Sequence, residues 1–150
     1  YMETPYFLPT EPILFAMRMA ALSGVDVRLM IPYRNDSKLV AWASISYVQQ
    51  IVNAGVKVEL YKDGFNHSKL LICDDEVCTC GSANLDFRSF EHDFESNVFF
   101  YDKSMTLRLK QVFETDERHC VSFSEWKSKI KSSFWQRLFA SVVRMLAPLL

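Results

Sequence analysis

Between Tyr1 and Tyr61 the chain alternates between two hydrophobic periods, and this alternation restricts its fold more than any other feature. "YMETPYF" reads as a strand stopped at Pro9. Thr10 is placed to cap a helix over "EPILFAMRMAAL", where Pro12 is tolerated in the first turn. Gly24 ends that helix, and "VDVRLMI" alternates apolar and charged residues as a strand does. Pro32 to Ser37 reads as a loop, with Asp36 or Ser37 as the cap of a second helix running to about Asn53. Gly55 closes that helix and "VKVELY" is the third strand. Strand, helix, strand, helix, strand argues for a sheet with largely parallel pairing.

After Gly64 the pattern changes. "KLLIC" and "VCTC" flank "DDE", which predicts a tight antiparallel hairpin. "ESNVFFY" is a further strand, followed by a helix from about Lys103 to Glu114 and a last helical region after Ser124. No repeat or low-complexity linker interrupts the chain, so residues 1–150 are expected to form one mixed α/β domain, long enough to bury a real core. A net charge of −1 supplies no global basic field to recruit nucleic acid. No uninterrupted apolar run reaches the roughly 18 residues of a membrane span, and no signal peptide is present. The chain begins with Tyr, in what looks like the end of a core strand, so a segment of a longer protein is expected.

Cys73, Cys78, Cys80 and Cys120 read as reduced core thiols, which points to a reducing, cytoplasmic-side environment. Cys-x-Cys alone lacks the second ligand pair of a zinc site. More informative is "NHSKLLICDDEVCTCGSANLDFRS", residues 66–89. In a strand, His67 and Lys69 share a face with Ser68 opposite. An imidazole beside an ammonium suits phosphoryl chemistry: the Lys neutralises a phosphate oxygen while the His attacks phosphorus or shuttles a proton. Gly81 permits close backbone approach, and Ser82 and Asn84 offer a hydroxyl and an amide to phosphate oxygens. Taken singly each has an ordinary explanation, Asp74 being what turn chemistry alone would select. Their joint spacing, His-x-Lys, four residues, Asp, six residues, Gly-Ser-x-Asn, is what sets them apart.

At these residues the sequence resembles the phospholipase D superfamily, whose signature is a His-x-Lys-x4-Asp arrangement followed by Gly-Ser and Asn. "TPYFLP" at 4–9, "AALSGVDVRLMIP" at 20–32, "AGVKVELYKDGFNHSK" at 54–69 and "GSANLDFRSFEHDFESN" at 81–97 are similar to the C-terminal catalytic half of bacterial cardiolipin synthases, as is the ending "LAPLL". The resemblance implies one half of a pseudo-two-fold enzyme with a phospholipase D-like mixed sheet flanked by helices. It implies phosphatidyl transfer between two phosphatidylglycerols through a phosphohistidine, with no metal or other cofactor. By the same resemblance His67 is a catalytic imidazole, Lys69, Asn84 and Ser82 bind phosphate, and Asp74 supports the site. Glu95, at the start of "ESNVFFY", fits the carboxylate that fixes a histidine's tautomer; Asp93 fits less well, and Asp86 suits the loop.

One motif is present, because neither His92 nor His119 has a Lys two residues on. The superfamily's site takes two, so the partner is either an N-terminal half carrying the other motif or a second copy in a homodimer. The mid-strand start favours the former, with His67 as the second-motif histidine and the isolated segment inactive. A phospholipase D or a homodimeric nuclease of the same superfamily, or a non-catalytic membrane-binding half, remains an alternative. A nuclease is disfavoured because residues 70–101 hold Arg88 alone among Lys and Arg, against seven carboxylates. About 125–150 reads as a basic amphipathic helical segment: Phe134, Trp135, Leu138, Phe139, Val142, Val143, Met145 and Leu146 on one side, Arg137, Ser141 and Arg144 on the other. Such a helix suits peripheral attachment to the cytoplasmic membrane and its anionic lipid.

Overall fold

A computed structural model describes residues 1–129. Its centre is a seven-stranded sheet. Five of the strands are β1 (Met2–Glu3), β3 (Arg28–Pro32), β4 (Lys57–Tyr61), β5 (Leu70–Cys73) and β6 (Val77–Gly81). The others are β8 (Asn97–Phe100) and β9 (Cys120–Ser122), and the spatial order is β8-β6-β5-β1-β3-β4-β9. β1, β3 and β4 pair in parallel, as the alternation in the first half predicts. Every other pairing in this sheet is antiparallel. The result is a mixed α/β fold.

Helices cover both faces of the parallel half. In β3, Leu29 and Met30 point to opposite sides and both are buried, as expected of a strand enclosed between layers. On Leu29's side lie α1 (Glu11–Leu22) and α2 (Lys38–Asn53), which bring Leu14, Met17, Val48 and Ile51 against Val58 and Leu60. Ser37 caps α2, its hydroxyl accepting from the Val40 amide at 3.4 Å. Thr10 precedes α1 without a side-chain cap bond. On Met30's side, α4 (Lys103–Glu117) buries Phe113 against Leu70, Ile72 and Cys78. Full burial of one such aromatic side chain contributes about 2–3 kcal/mol. No helix among the described residues is long and apolar enough to cross a membrane.

Four expectations are corrected. "YMETPYF" is two strands: β1 stays in the large sheet, and β2 (Phe7–Leu8) pairs in parallel with β7 (Leu85–Asp86) in a separate ribbon. Pro5 has no N–H to continue the ladder. Thr4 turns the chain there, its Oγ1 donating to Tyr6 O at 2.8 Å and accepting from Leu85 N at 3.1 Å. A short helix, α3 (Phe87–Glu91), occupies what reads as loop, with Asp86 Oδ1 accepting from Ser89 N at 2.8 Å as its cap. β9 is an added edge strand, after which α5 (Phe123–Lys129) begins. The thiols are not all core: Cys78 is buried but Cys73 is exposed, since alternate residues of β5 face opposite sides. Most of the basic amphipathic segment, 130–150, lies outside the described residues.

The hairpin turns through Asp74 (φ 51°) and Asp75 (φ 59°), closed by Glu76 N donating to Cys73 O at 3.1 Å. Asp75 also accepts from Lys110 Nζ at 2.7 Å, tying the hairpin tip to α4. Left-handed backbone costs an ordinary L-residue about 1–2 kcal/mol, less for Asp and nothing for Gly. Asp74→Gly is therefore expected to leave stability near that of the unsubstituted chain, and Asp74→Ala to lower it by about 1 kcal/mol, read by urea denaturation.

Candidate active site

The polar residues converge at the open end of the hairpin. His67 lies on the irregular segment between β4 and β5, and Lys69 immediately precedes β5. β5 and β6 are paired from Leu70 with Cys80, and Gly81 N donates to Lys69 O at 3.4 Å, so Ser82 emerges beside Lys69. β6 pairs with β8 from Gly81 with Asn97, which brings Glu95 and Ser96 to the same end. A Cβ built on Gly81 would lie 2.0 Å from Asn97 Oδ1 and 2.2 Å from Ser96 O. The glycine of the motif is thus required by the approach of β8.

Within this cluster Lys69 Nζ stands 3.2 Å from both ring nitrogens of His67 and donates to His67 O at 2.8 Å. The two side chains share one side, as expected, although His67 is outside regular strand. Partial burial lowers the Lys69 pKa, opposed by the charges of Glu95 and Asp86. Tyr6 packs edge-on to the His67 ring at 6.4 Å between centroids and Phe65 tilts against it at 5.7 Å.

Glu95 accepts from Ser82 Oγ through one oxygen and from Ser89 Oγ at 2.7 Å through the other. These two bonds, Ser82's the larger, hold its pKa below the usual carboxylate value, with a smaller contribution from Lys69. Its oxygens are engaged by serines, and among the described residues no hydrogen bond joins it to His67. Ser82 is further fixed because its Oγ accepts from Ser96 N at 2.9 Å. Asn84 N donates to Ser89 Oγ at 3.0 Å, while Asn84 Oδ1 is sealed from solvent without a partner among the described residues. Asp93 pairs with Arg88 at 3.4 Å.

His67, Lys69, Ser82 and Glu95 are therefore brought together, with Asn84 joined to Glu95 through Ser89. Asp74 is not among them. It sits at the far tip of the hairpin, where it accepts from Cys73 Sγ at 3.6 Å. The four residues of β5 lie between it and Lys69, a separation of about 16 Å along the strand.

Residues 1–117 match the family model described as "Cardiolipin synthase, PLD-like domain". The chain belongs to this family. It is 41% identical to a cardiolipin synthase of Clostridium perfringens over 150 residues, all of this chain and 31% of that one. Against the major cardiolipin synthase of Bacillus subtilis it is 40% identical over 148 residues, 99% of this chain and 30% of that one. The chain spans about a third of the length of the curated relatives it matches. Two solved structures share the fold. Nuc, a phospholipase D family member from Salmonella typhimurium, has TM-score 0.70 at 20% identity, covering 81% of this chain and 79% of that one. A phosphatidylserine synthase from Haemophilus influenzae has TM-score 0.73 at 16% identity, covering 99% and 39%.

In this PLD-like domain three contributors escape a reading of the motif. Ser89 links Asn84, Asp86 and Glu95; its signal was its place three residues after a capping Asp. Tyr6 reaches His67 because Pro5 bends the chain. Glu3, 2% exposed on the central strand β1, accepts from Asn66 Nδ2 at 3.2 Å. Asn66 Oδ1 in turn accepts from Ser68 N at 2.9 Å, so one amide clamps the backbone on both sides of His67 and anchors it to the sheet. Burial raises the Glu3 pKa, with hydrogen bonds from Asn66 and Ser68 pulling the other way.

Gly81→Ala is expected to force β8 from β6, separate Ser82 from Glu95 and abolish turnover, detectable as loss of activity and of the amide chemical-shift pattern of 95–97. For Glu3, protonation is favoured by the fold. Its contribution is complete below the unfolded value near 4.5 and is lost as pH rises through the raised folded value. Glu3→Gln should therefore gain stability relative to Glu3 as pH is raised from about 4.5 through the raised folded value, and hold a constant advantage above it, in urea melts at stepped pH. Glu3→Leu, which leaves Asn66 unanchored, should lower kcat at every pH.

Proposed function

We propose that this chain is the second-motif half of a phosphatidyltransferase that converts two phosphatidylglycerols into cardiolipin and glycerol. The observation carrying the proposal is the convergence of His67, Lys69, Ser82 and Glu95 at one hairpin end in a chain of the cardiolipin synthase family. One histidine attacks the phosphodiester of the donor lipid and the glycerol leaves, protonated by the other histidine. The acceptor's hydroxyl then attacks the phosphohistidine, giving up its proton to the same acid-base residue. His67 serves as that acid-base group and the nucleophile comes from the N-terminal half. A second copy of this chain is the other possible source.

Lys69, Ser82 and Asn84 hold the phosphate. Lys69 is partly withdrawn from water and its ammonium would gain a full counter-charge when the phosphodiester arrives. Glu95 keeps Ser82 and Ser89 in place, and Asp74 shapes the hairpin at a distance.

The surroundings suit lipid better than nucleic acid. Phe94, next to Glu95, is fully exposed, and Phe90, Val98, Phe99 and Tyr101 expose large apolar surfaces nearby in sequence. We assign that surface to contact with the other half and with the membrane, the segment acting peripherally at the cytoplasmic leaflet. Beyond Lys69, a polyanion would meet Asp86, Glu91, Asp93 and Glu95 in a stretch, residues 70–101, whose one Lys or Arg is Arg88.

The test is to incubate the full-length protein with phosphatidylglycerol vesicles and follow cardiolipin and glycerol by mass spectrometry. His67→Ala should lower cardiolipin output by at least about a thousandfold, as removal of an acid-base group that also balances a leaving alkoxide does. Unchanged output would refute the assignment, and phosphatidic acid as the sole product would make the protein a phospholipase.

A further inference from the structure

A second cavity shares a wall with the candidate active site. Its volume is about 370 Å³, and its polar lining includes Tyr6, Asp36, Asn84, Asp86, Arg88 and Asp93. Two of these residues belong to both sites. Tyr6 packs its ring against His67 at 6.4 Å and turns its hydroxyl away to donate to Asp36 Oδ2 at 2.6 Å. Asn84 is tied through Ser89 to Glu95, and its buried Oδ1 lacks a hydrogen-bond partner among the described residues. A group held in this cavity therefore sits one side chain away from the histidine and one from the Glu95 network.

The lining defines what such a group must be. Three carboxylates face one guanidinium, which is already paired with Asp93 at 3.4 Å. The cavity thus repels a phosphate and is unsuited to the reacting phosphodiester itself. Asp36, Asp93 and the oxygen of Tyr6, whose proton is given to Asp36, accept hydrogen bonds, whereas Arg88 and the Asn84 amide donate them. Adjacent hydroxyl groups, each donor and acceptor at once, satisfy both kinds of partner. An ammonium has only donors and would leave Arg88 and the Asn84 amide unanswered. The hydrogen bond from Tyr6 to Asp36, aided by burial, raises the Tyr6 pKa to about 12, so the phenol keeps its proton and this contact throughout the neutral range.

We propose that this cavity binds the polyol end of the acceptor: a neutral vicinal diol, supplied as the glycerol head group of a phospholipid or as free glycerol. The inference rests on the transferase reading above and deepens it by assigning the acceptor its own subsite. A primary hydroxyl presented from the cavity forms the new P–O bond as the bond between phosphorus and its histidine carrier breaks. Its proton passes to the histidine that does not carry phosphorus.

The experiment uses full-length protein, phosphatidylglycerol vesicles and added labelled glycerol, 1-propanol or ethanolamine. Cardiolipin, labelled exchange products and phosphatidic acid are counted in each arm. The unsubstituted enzyme should favour glycerol over both mono-hydroxyl acceptors at equal concentration. Asp36→Asn and Asp36→Ala should raise KM for labelled glycerol about tenfold, the loss typical of one charge-assisted hydrogen bond. Both should shift products from transfer towards phosphatidic acid and bring the glycerol-to-propanol ratio towards one. Cardiolipin formation should respond in parallel if the lipid head group uses the same cavity, and stay constant if free glycerol alone does. Asp36 is exposed on a loop, and the Asn variant keeps its shape, so both are expected to fold. Unaltered ratios in both variants, an equal fall of every product, or a preference for ethanolamine would overturn the subsite. Phosphatidic acid as the only product of the unsubstituted enzyme in every arm would instead overturn the transferase reading on which it rests.

Discussion

At Gly81 the backbones of β6 and β8 approach so closely that a single methyl group would collide with Asn97 and Ser96. The rest of the site depends on that approach. It fixes the register of β8 against β6, and the register delivers Glu95 to Ser82. Shifting β8 by one residue would turn Glu95 to the opposite face and leave Ser82 and Ser89 without their acceptor. The β5–β6 pairing propagates the same alignment to Lys69, whose ammonium in turn donates to His67 O. A local steric requirement thus becomes the geometry of a site assembled from three separate stretches of chain.

The electrostatics follow the same economy. A lysine partly withdrawn from water stands against one histidine, with a carboxylate nearby whose oxygens are already engaged by serines. Glu95 is therefore committed to holding hydroxyl groups in place, which preserves Lys69 for an incoming anion. Behind the site the buried carboxyl of Glu3 and the amide of Asn66 anchor an otherwise irregular segment to the centre of the sheet. In front of it, Tyr6 separates the histidine from the carboxylate-lined cavity, so two regions of opposite preference for charge lie side by side.

Much of this was legible in the residues. Alternation of period two with capped helical stretches located α1, α2, β3 and β4, and their parallel pairing. The spacing from His67 to Asn84 marked the candidate site, and Glu95 was recognisable as a carboxylate on the next strand. The split of the first strand was less visible, since "YMETPYF" is uniformly apolar around its polar residues and Pro5 could equally end a strand or bend one. β9 was hidden because three half-buried residues have no period of their own. Asp74 was grouped with the site by its spacing, yet its turn chemistry was the better guide: two left-handed residues put it at the opposite end of the hairpin.

By itself, the sequence determined the elements, the hairpin and the chemical groups available to the site, because each depends on local periodicity, turn propensity or residue type. It also contained the clue to its family, in side chains whose spacing along the chain is closely constrained. The tertiary structure alone decided which groups meet. Glu3 reaches Asn66 across 63 positions and Tyr6 reaches Asp36 across 30, contacts that no local pattern encodes. Those pairings arise when strands from distant parts of the chain are placed side by side, and burial then selects the hydrogen bonds that can be completed.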